Sequence, residues 1–240
     1  MRNISVMTAS FLTFWCYLFT SMISINCDIY LDTAYGRFRG KIMESRKGRN
    51  FSAFRGVPYA SPPIGSLRFS DPVLATPRFV KAQSDKARCI QRIVSPMEDE
   101  IIGVEECLHL NIYTPLLANR QKSSMPRYPV MVWIHGGGFQ TGSGHSSYYS
   151  PTYLLDHNIV LVTLNYRLGP FGFLSTGDEV MPGNYGLKDQ LAALKWVNKY
   201  IVFFAGDTGS ITLFGNGAGA ASAYYFMMAS GTEGDIILCG

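Results

Sequence analysis

Ile211-Thr212-Leu213-Phe214-Gly215-Asn216-Gly217-Ala218-Gly219-Ala220 (ITLFGNGAGA) is the stretch whose reading decides the fold. A short apolar run enters a glycine-rich turn, and small helix-forming residues follow, giving an expected helix over 218–229. Apolar runs without polar alternation mark strands buried on both faces, as in a parallel sheet covered by helices. Two more such runs stand upstream, Pro129 to Ile134 (PVMVWI) and Ile159 to Leu164 (IVLVTL). Between the last two strands, Leu187, Leu191, Leu194, Val197, Ile201 and Phe204 recur at steps of three or four, one face of a helix that Gly206 ends. Strand, helix, strand, tight turn, helix is a doubly wound α/β layer.

From Ile29 to Phe69 the chain reads differently. Short strand-like pieces, Gly36 to Gly40 and Phe51 to Tyr59, alternate with turns at Pro62-Pro63 and Gly65, which predicts a small antiparallel sheet ahead of the parallel one. No internal repeat or low-complexity linker divides the chain, so residues 28–240 are expected to form one domain. With 47% apolar and 16% charged residues, disorder is excluded. The net charge of +4 is modest, and the basic stretch Arg37, Arg39, Lys41, Arg46, Lys47 and Arg49 has no interleaved aromatics, so it reads as a solvated face and not as a nucleic-acid site.

Residues 1–27 read as a secretory signal peptide: Arg2 precedes a charge-free run from Ile4 to Ile25, and Asp28 ends it. The run is also long enough to cross a bilayer, so an uncleaved signal-anchor is the alternative. An extracellular destination allows a disulfide, and of five cysteines only Cys89 and Cys107 lie away from both termini. Asn50-Phe51-Ser52 makes Asn50 the expected glycan site.

Two glycine-rich segments follow predicted parallel strands, at the end where open α/β sheets bind ligands. His135-Gly136-Gly137-Gly138-Phe139 lacks Cβ atoms where backbone N–H groups would have to face a cavity, as in an oxyanion hole. Gly215-Asn216-Gly217-Ala218-Gly219 has the strand–turn–helix setting of a Gly-x-Ser-x-Gly nucleophile elbow, with glycine at the centre. A phosphate loop is disfavoured, because Gly219 breaks the Gly-x-Gly-x-x-Gly spacing and no Walker lysine follows.

Beyond these segments the chain carries Phe54-Arg55-Gly56-Val57-Pro58-Tyr59-Ala60, Glu105-Glu106-Cys107-Leu108 with Leu110-Asn111-Ile112-Tyr113, Asn165-Tyr166-Arg167-Leu168-Gly169, and Gly183-Asn184-Tyr185-Gly186-Leu187-Lys188-Asp189-Gln190. With these it resembles the type B carboxylesterases, the group of insect esterases, juvenile hormone esterases and cholinesterases. The resemblance implies the N-terminal portion of an α/β-hydrolase fold, carboxylic esters as the substrate class, and no cofactor or metal. It implies oxyanion donors at Gly137, Gly138 and Ala218, a Cys89–Cys107 disulfide, and two buried ion pairs, Arg55 with Glu105 and Arg167 with Asp189. In cholinesterases the disulfide loop carries an aromatic for a quaternary ammonium. Here Ile90 to Glu106 has no Trp, Tyr or Phe, which points away from choline esters.

The departures from the family decide activity. The family elbow is Gly-Glu-Ser-Ala-Gly; Asn216 replaces the acid and Gly217 the nucleophile. The family's triad acid and base lie far downstream of the elbow, so a chain ending at Gly240 is expected to lack both and to be a truncated, inactive copy. Neither Ser222 nor any of the four histidines has a family role that would substitute. Strands beyond the elbow strand would be missing apart from a stub at Ile236-Ile237-Leu238, leaving an open sheet edge that a protein partner could cover. A non-catalytic binding or adhesion protein is the alternative function.

Overall fold

The computed structural model describes residues 28–94, 99–115 and 126–229. The signal segment 1–27 and the stub at 236–238 lie outside the described residues. One mixed sheet organises the chain, in the order β1 (Asp28–Asp32), β2 (Arg37–Glu44), β3 (Asn50–Pro58), β7 (His109–Thr114), β9 (Val160–Leu164), β8 (Tyr128–Ile134), β10 (Gly206–Gly215), with β4 (Phe79–Lys81) paired to β2. Strands β1, β2, β3 and β7 run antiparallel, as the turn-punctuated sequence suggests, and continue into the parallel group β9, β8, β10. A separate antiparallel hairpin, β5 (Gln91–Val94) with β6 (Asp99–Ile102), stands off the main sheet.

Burial follows strand position. β9 has neighbours on both sides and all five of its residues are buried. β10 hydrogen-bonds to β8 alone among the described residues, and only Ile211 and Leu213 of its apolar run are buried. The main core lies between the sheet and helix α2 (Tyr185–Tyr200; α1 is the short Gly169–Phe173), where Trp196 and Phe204 meet Tyr35, Phe38 and Phe54 edge-on or tilted. A smaller cluster of Phe51, Ala53, Tyr113, Leu155 and Leu161 forms a second core.

The apolar periodicity runs one element too far. α2 stops at Tyr200, and Ile201–Phe204 form a 3-10 turn capped by Ala205 at φ 62°. A spacing of three keeps Ile201 and Phe204 on the same buried face in either helix, which is why the pattern did not register the change. Gly206 is the first residue of β10, where a Cβ would press on Ile201 and Val130. The elbow helix α3 spans Ala218–Met228, close to the expected range.

Cys89 and Cys107 form a disulfide. Arg167 and Asp189 form a buried pair: the guanidinium Nε and Nη2 donate to the two carboxylate oxygens at 2.7 Å each, and the Arg167 N–H adds a third bond at 3.0 Å. Burial pushes the Asp189 carboxyl up, and those three bonds pull against it.

Arg55 and Glu105 do not pair. Arg55 meets Asp85 at 3.3 Å, and Arg68 takes Glu105 with two bonds of 2.5 and 2.6 Å. Asp85 wins Arg55 because it is also held by Asn111 and by the Ser146 side chain and N–H, so its oxygens are fixed where the guanidinium arrives. Asn111 ties the node together, accepting from the Gly56 N–H and donating to the Gly144 carbonyl.

Candidate active site

The strand register sets the site. Ile134 pairs with Leu164 on one side and Gly215 on the other, so β8, β9 and β10 end level and their following loops share one edge. The loop after β8 holds the glycines, with positive φ at Gly137 (110°), Gly138 (61°) and Phe139 (61°). Gly137 needs to be glycine, because a Cβ there would lie 2.0 Å from the Thr141 carbonyl oxygen. Its own carbonyl accepts from the N–H groups of Gln140 and Thr141, curling the loop.

After β10 the chain turns at Gly217, φ 52° and ψ −119°, directly into α3. The flanking glycines are steric necessities: a Cβ on Gly219 would meet the Ile134 carbonyl oxygen at 2.0 Å, and one on Gly215 would meet it at 2.6 Å. Gly217 itself is different. Among the described residues, a Cβ there would have no atom within 4 Å beyond its own chain neighbours, so the nucleophile position is sterically open. Asn216 sits against Gly136, which brings the elbow and the glycine loop into contact. The N–H groups of Gly137, Gly138 and Ala218 bond to no acceptor among the described residues.

Beside Gly138 and Phe139 lies a cleft of about 810 Å³, walled by Phe171 and Leu174 near α1 and by Ile90 and Ile101 of the β5–β6 hairpin. The lining is predominantly apolar, with Gln91, Arg92 and Gln140 as its polar members, the usual make-up of a small-molecule site.

His135 is fully buried, stacked 4.4 Å from the Tyr166 ring, with Nδ1 on the Gly136 carbonyl; burial lowers its pKa to about 4. His109 is likewise lowered to about 4 by burial. Both are neutral in the folded chain, while unfolded histidine titrates near 6.5. Depressed folded values give stability that is present above pH 6.5 and is lost as pH falls towards 4. Between pH 6.5 and 5 the unfolding free energy from urea titrations should therefore fall, to a loss of roughly 2 kcal/mol per histidine at pH 5. A flat profile across that window would show that neither ring resists protonation.

Ser222 is buried in α3 and donates to the Ala218 carbonyl at 3.0 Å, a helix-internal role. No group of three or more His, Cys, Asp or Glu among the described residues could hold a metal. Sequence reading passed over Asp85, Asn111 as a network centre, and Gln91, whose side chain bonds Gly142 in both directions. For Asn111 and Gln91 the only signal was a polar residue inside or beside an apolar run; Asp85, within the polar stretch Gln83-Ser84-Asp85-Lys86, had none.

A strand–glycine turn–helix elbow facing a glycine loop at the carboxyl edge of a mixed sheet defines an α/β-hydrolase. The model of the carboxylesterase family matches residues 28–237, and the chain belongs to that family. It is 46% identical over 202 residues to a carboxylic ester hydrolase of Bombus ignitus, covering 82% of this chain and 35% of the relative. To a juvenile hormone esterase of Tribolium castaneum it is 43% identical, covering 84% and 34%. The crystal structure of juvenile hormone esterase from Manduca sexta, with OTFP covalently attached, superposes with TM-score 0.79 at 34% identity, over 88% of this chain and 40% of that one. The chain thus spans about a third of the length of the curated relatives it matches.

Proposed function

We propose that this chain carries the carbonyl-binding part of an ester-hydrolase site and hydrolyses no ester itself. The observation behind the reading is Gly217: the turn, the flanking glycines and the unpaired N–H groups are those of an elbow, and the residue at its centre has no attacking atom. An oxyanion hole stabilises charge only after a nucleophile has added to the carbonyl. The apolar cleft suits esters with alkyl or aryl groups. Treatment with a fluorescent organophosphonate is expected to leave the protein unlabelled, while an active serine esterase run alongside is labelled. Covalent labelling of this chain would overturn the reading.

The same proposal places the protein outside the cell. No described helix is long and apolar enough to cross a membrane. Asn50 is exposed at the start of β3, beside the turn at 45–49. The secreted protein is expected to begin near Asp28 and to lose mass on treatment with an N-glycosidase. An unchanged mass, or retention in membranes after alkaline extraction, would count against it.

A further inference from the structure

The Gln91 side chain is nearly sealed from solvent, at 5% exposure, and all three of its hydrogen bonds go to main chain. Nε2 donates to the Gly142 carbonyl at 2.9 Å and to the Cys89 carbonyl at 3.0 Å, and Oε1 accepts from the Gly142 N–H at 2.8 Å. One amide thus grips both faces of a single peptide residue, much as a strand neighbour would, between segments that are not paired in any sheet.

The position of Gly142 gives this grip its meaning. Gly142 has φ 119° and packs so closely on the start of its own loop that a Cβ would reach His135 Nδ1 at 2.3 Å and the Gly136 carbonyl oxygen at 2.6 Å. Holding Gly142 therefore holds both ends of the 136–142 loop, with Gly137 and Gly138 between them. On the other side, Gln91 opens β5, inside the loop closed by Cys89–Cys107. That hairpin supplies Ile90 and Ile101 to one wall of the cleft, and the glycine loop supplies Gly138 and Phe139 to the other.

We propose that Gln91 is a positioning residue, joining the disulfide-closed hairpin and the glycine loop into one body and so fixing the N–H groups of Gly137 and Gly138 relative to the cleft. Its relevance to ligands rests on the carbonyl-binding reading above; the mechanical claim does not. Gln91→Met keeps the length of the side chain and removes both bonds to Gly142, which would leave a buried N–H and carbonyl without partners. Gln91→Glu keeps the acceptor for the Gly142 N–H and loses the donor.

Hydrogen exchange measured on the purified full chain tests the joint directly. In Gln91→Met the amides of residues 140–142, which are hydrogen-bonded in the wild type, should exchange at least tenfold faster, while those of β7 and β9 keep their rates; Gln91→Glu should show a smaller acceleration confined to the same loop. Unchanged exchange at 140–142 in both variants overturns the proposal, and so does acceleration spread equally over β7 and β9, the mark of general destabilisation. A second arm separates the two readings. The wild type is titrated with 4-nitrophenyl butyrate as an unhydrolysed ligand, and Gln91→Met should bind it at least fivefold more weakly. A wild type that fails to bind it sinks the carbonyl-binding reading, and the exchange data still decide the role of Gln91.

Discussion

4-Nitrophenyl acetate mixed with this protein is expected to hydrolyse no faster than in buffer, and Gly217→Ser is expected to leave that result unchanged. The first outcome follows from a nucleophile position without a side chain. The second follows from the surroundings of the four histidines, since a serine hydroxyl attacks well only when an imidazole takes its proton. His135 is nearest the elbow, yet it lies flat under Tyr166, fully buried, with Nδ1 committed to the Gly136 carbonyl. His109 begins β7, three strands from β10 and so roughly 14 Å away at about 4.8 Å per strand. His145 bonds the Lys86 carbonyl through Nε2, and His157 precedes β9 at the opposite end of the parallel strands. The assay compares purified wild type and Gly217→Ser with heat-killed controls. Turnover above background by the wild type would refute the non-catalytic reading, and strong turnover by the variant alone would mean that one of these histidines moves into place.

Asp189→Ala should cost a large share of the stability the domain has. The carboxylate is completely buried beneath Arg167, and removing it strands a buried guanidinium, at roughly 3–5 kcal/mol. Domains of this kind have about 5–15 kcal/mol to lose. Lys188 and Asp71, at a similar 2.6 Å, provide the control, because Asp71 is 68% exposed and the equivalent Asp71→Ala should cost under about 1 kcal/mol. Urea unfolding of the two variants decides the matter: similar midpoints would show that burial does not govern these pairs.

The parallel strands and both glycine turns were legible because their sequence signals are local. PVMVWI, IVLVTL and ITLF each stand alone as apolar runs, and Gly215 and Gly219 bracket a turn that few other residues could make. The partner of Arg55 was not legible. Asp85 is 30 positions away and earns its place through Asn111 and Ser146, contacts made only once β3, β7 and the loop after β8 have met. Gln91 was hidden for the same reason, since its partner Gly142 lies 51 positions along the chain. The end of α2 escaped for a different one: a step of three residues serves an α-helix and a 3-10 turn equally well.

The angles at Gly217 bear on the history open to such a chain. At φ 52° and ψ −119° any residue with a side chain is strained, by about 1–3 kcal/mol, and an active esterase must carry that strain at its nucleophile. Glycine carries none of it. On the non-catalytic reading proposed above, the glycine that removes the nucleophile also removes the strain, and the two effects cannot be selected apart. On that reading a return to serine would first pass through a more strained protein without activity, a slope that drift alone descends in one direction.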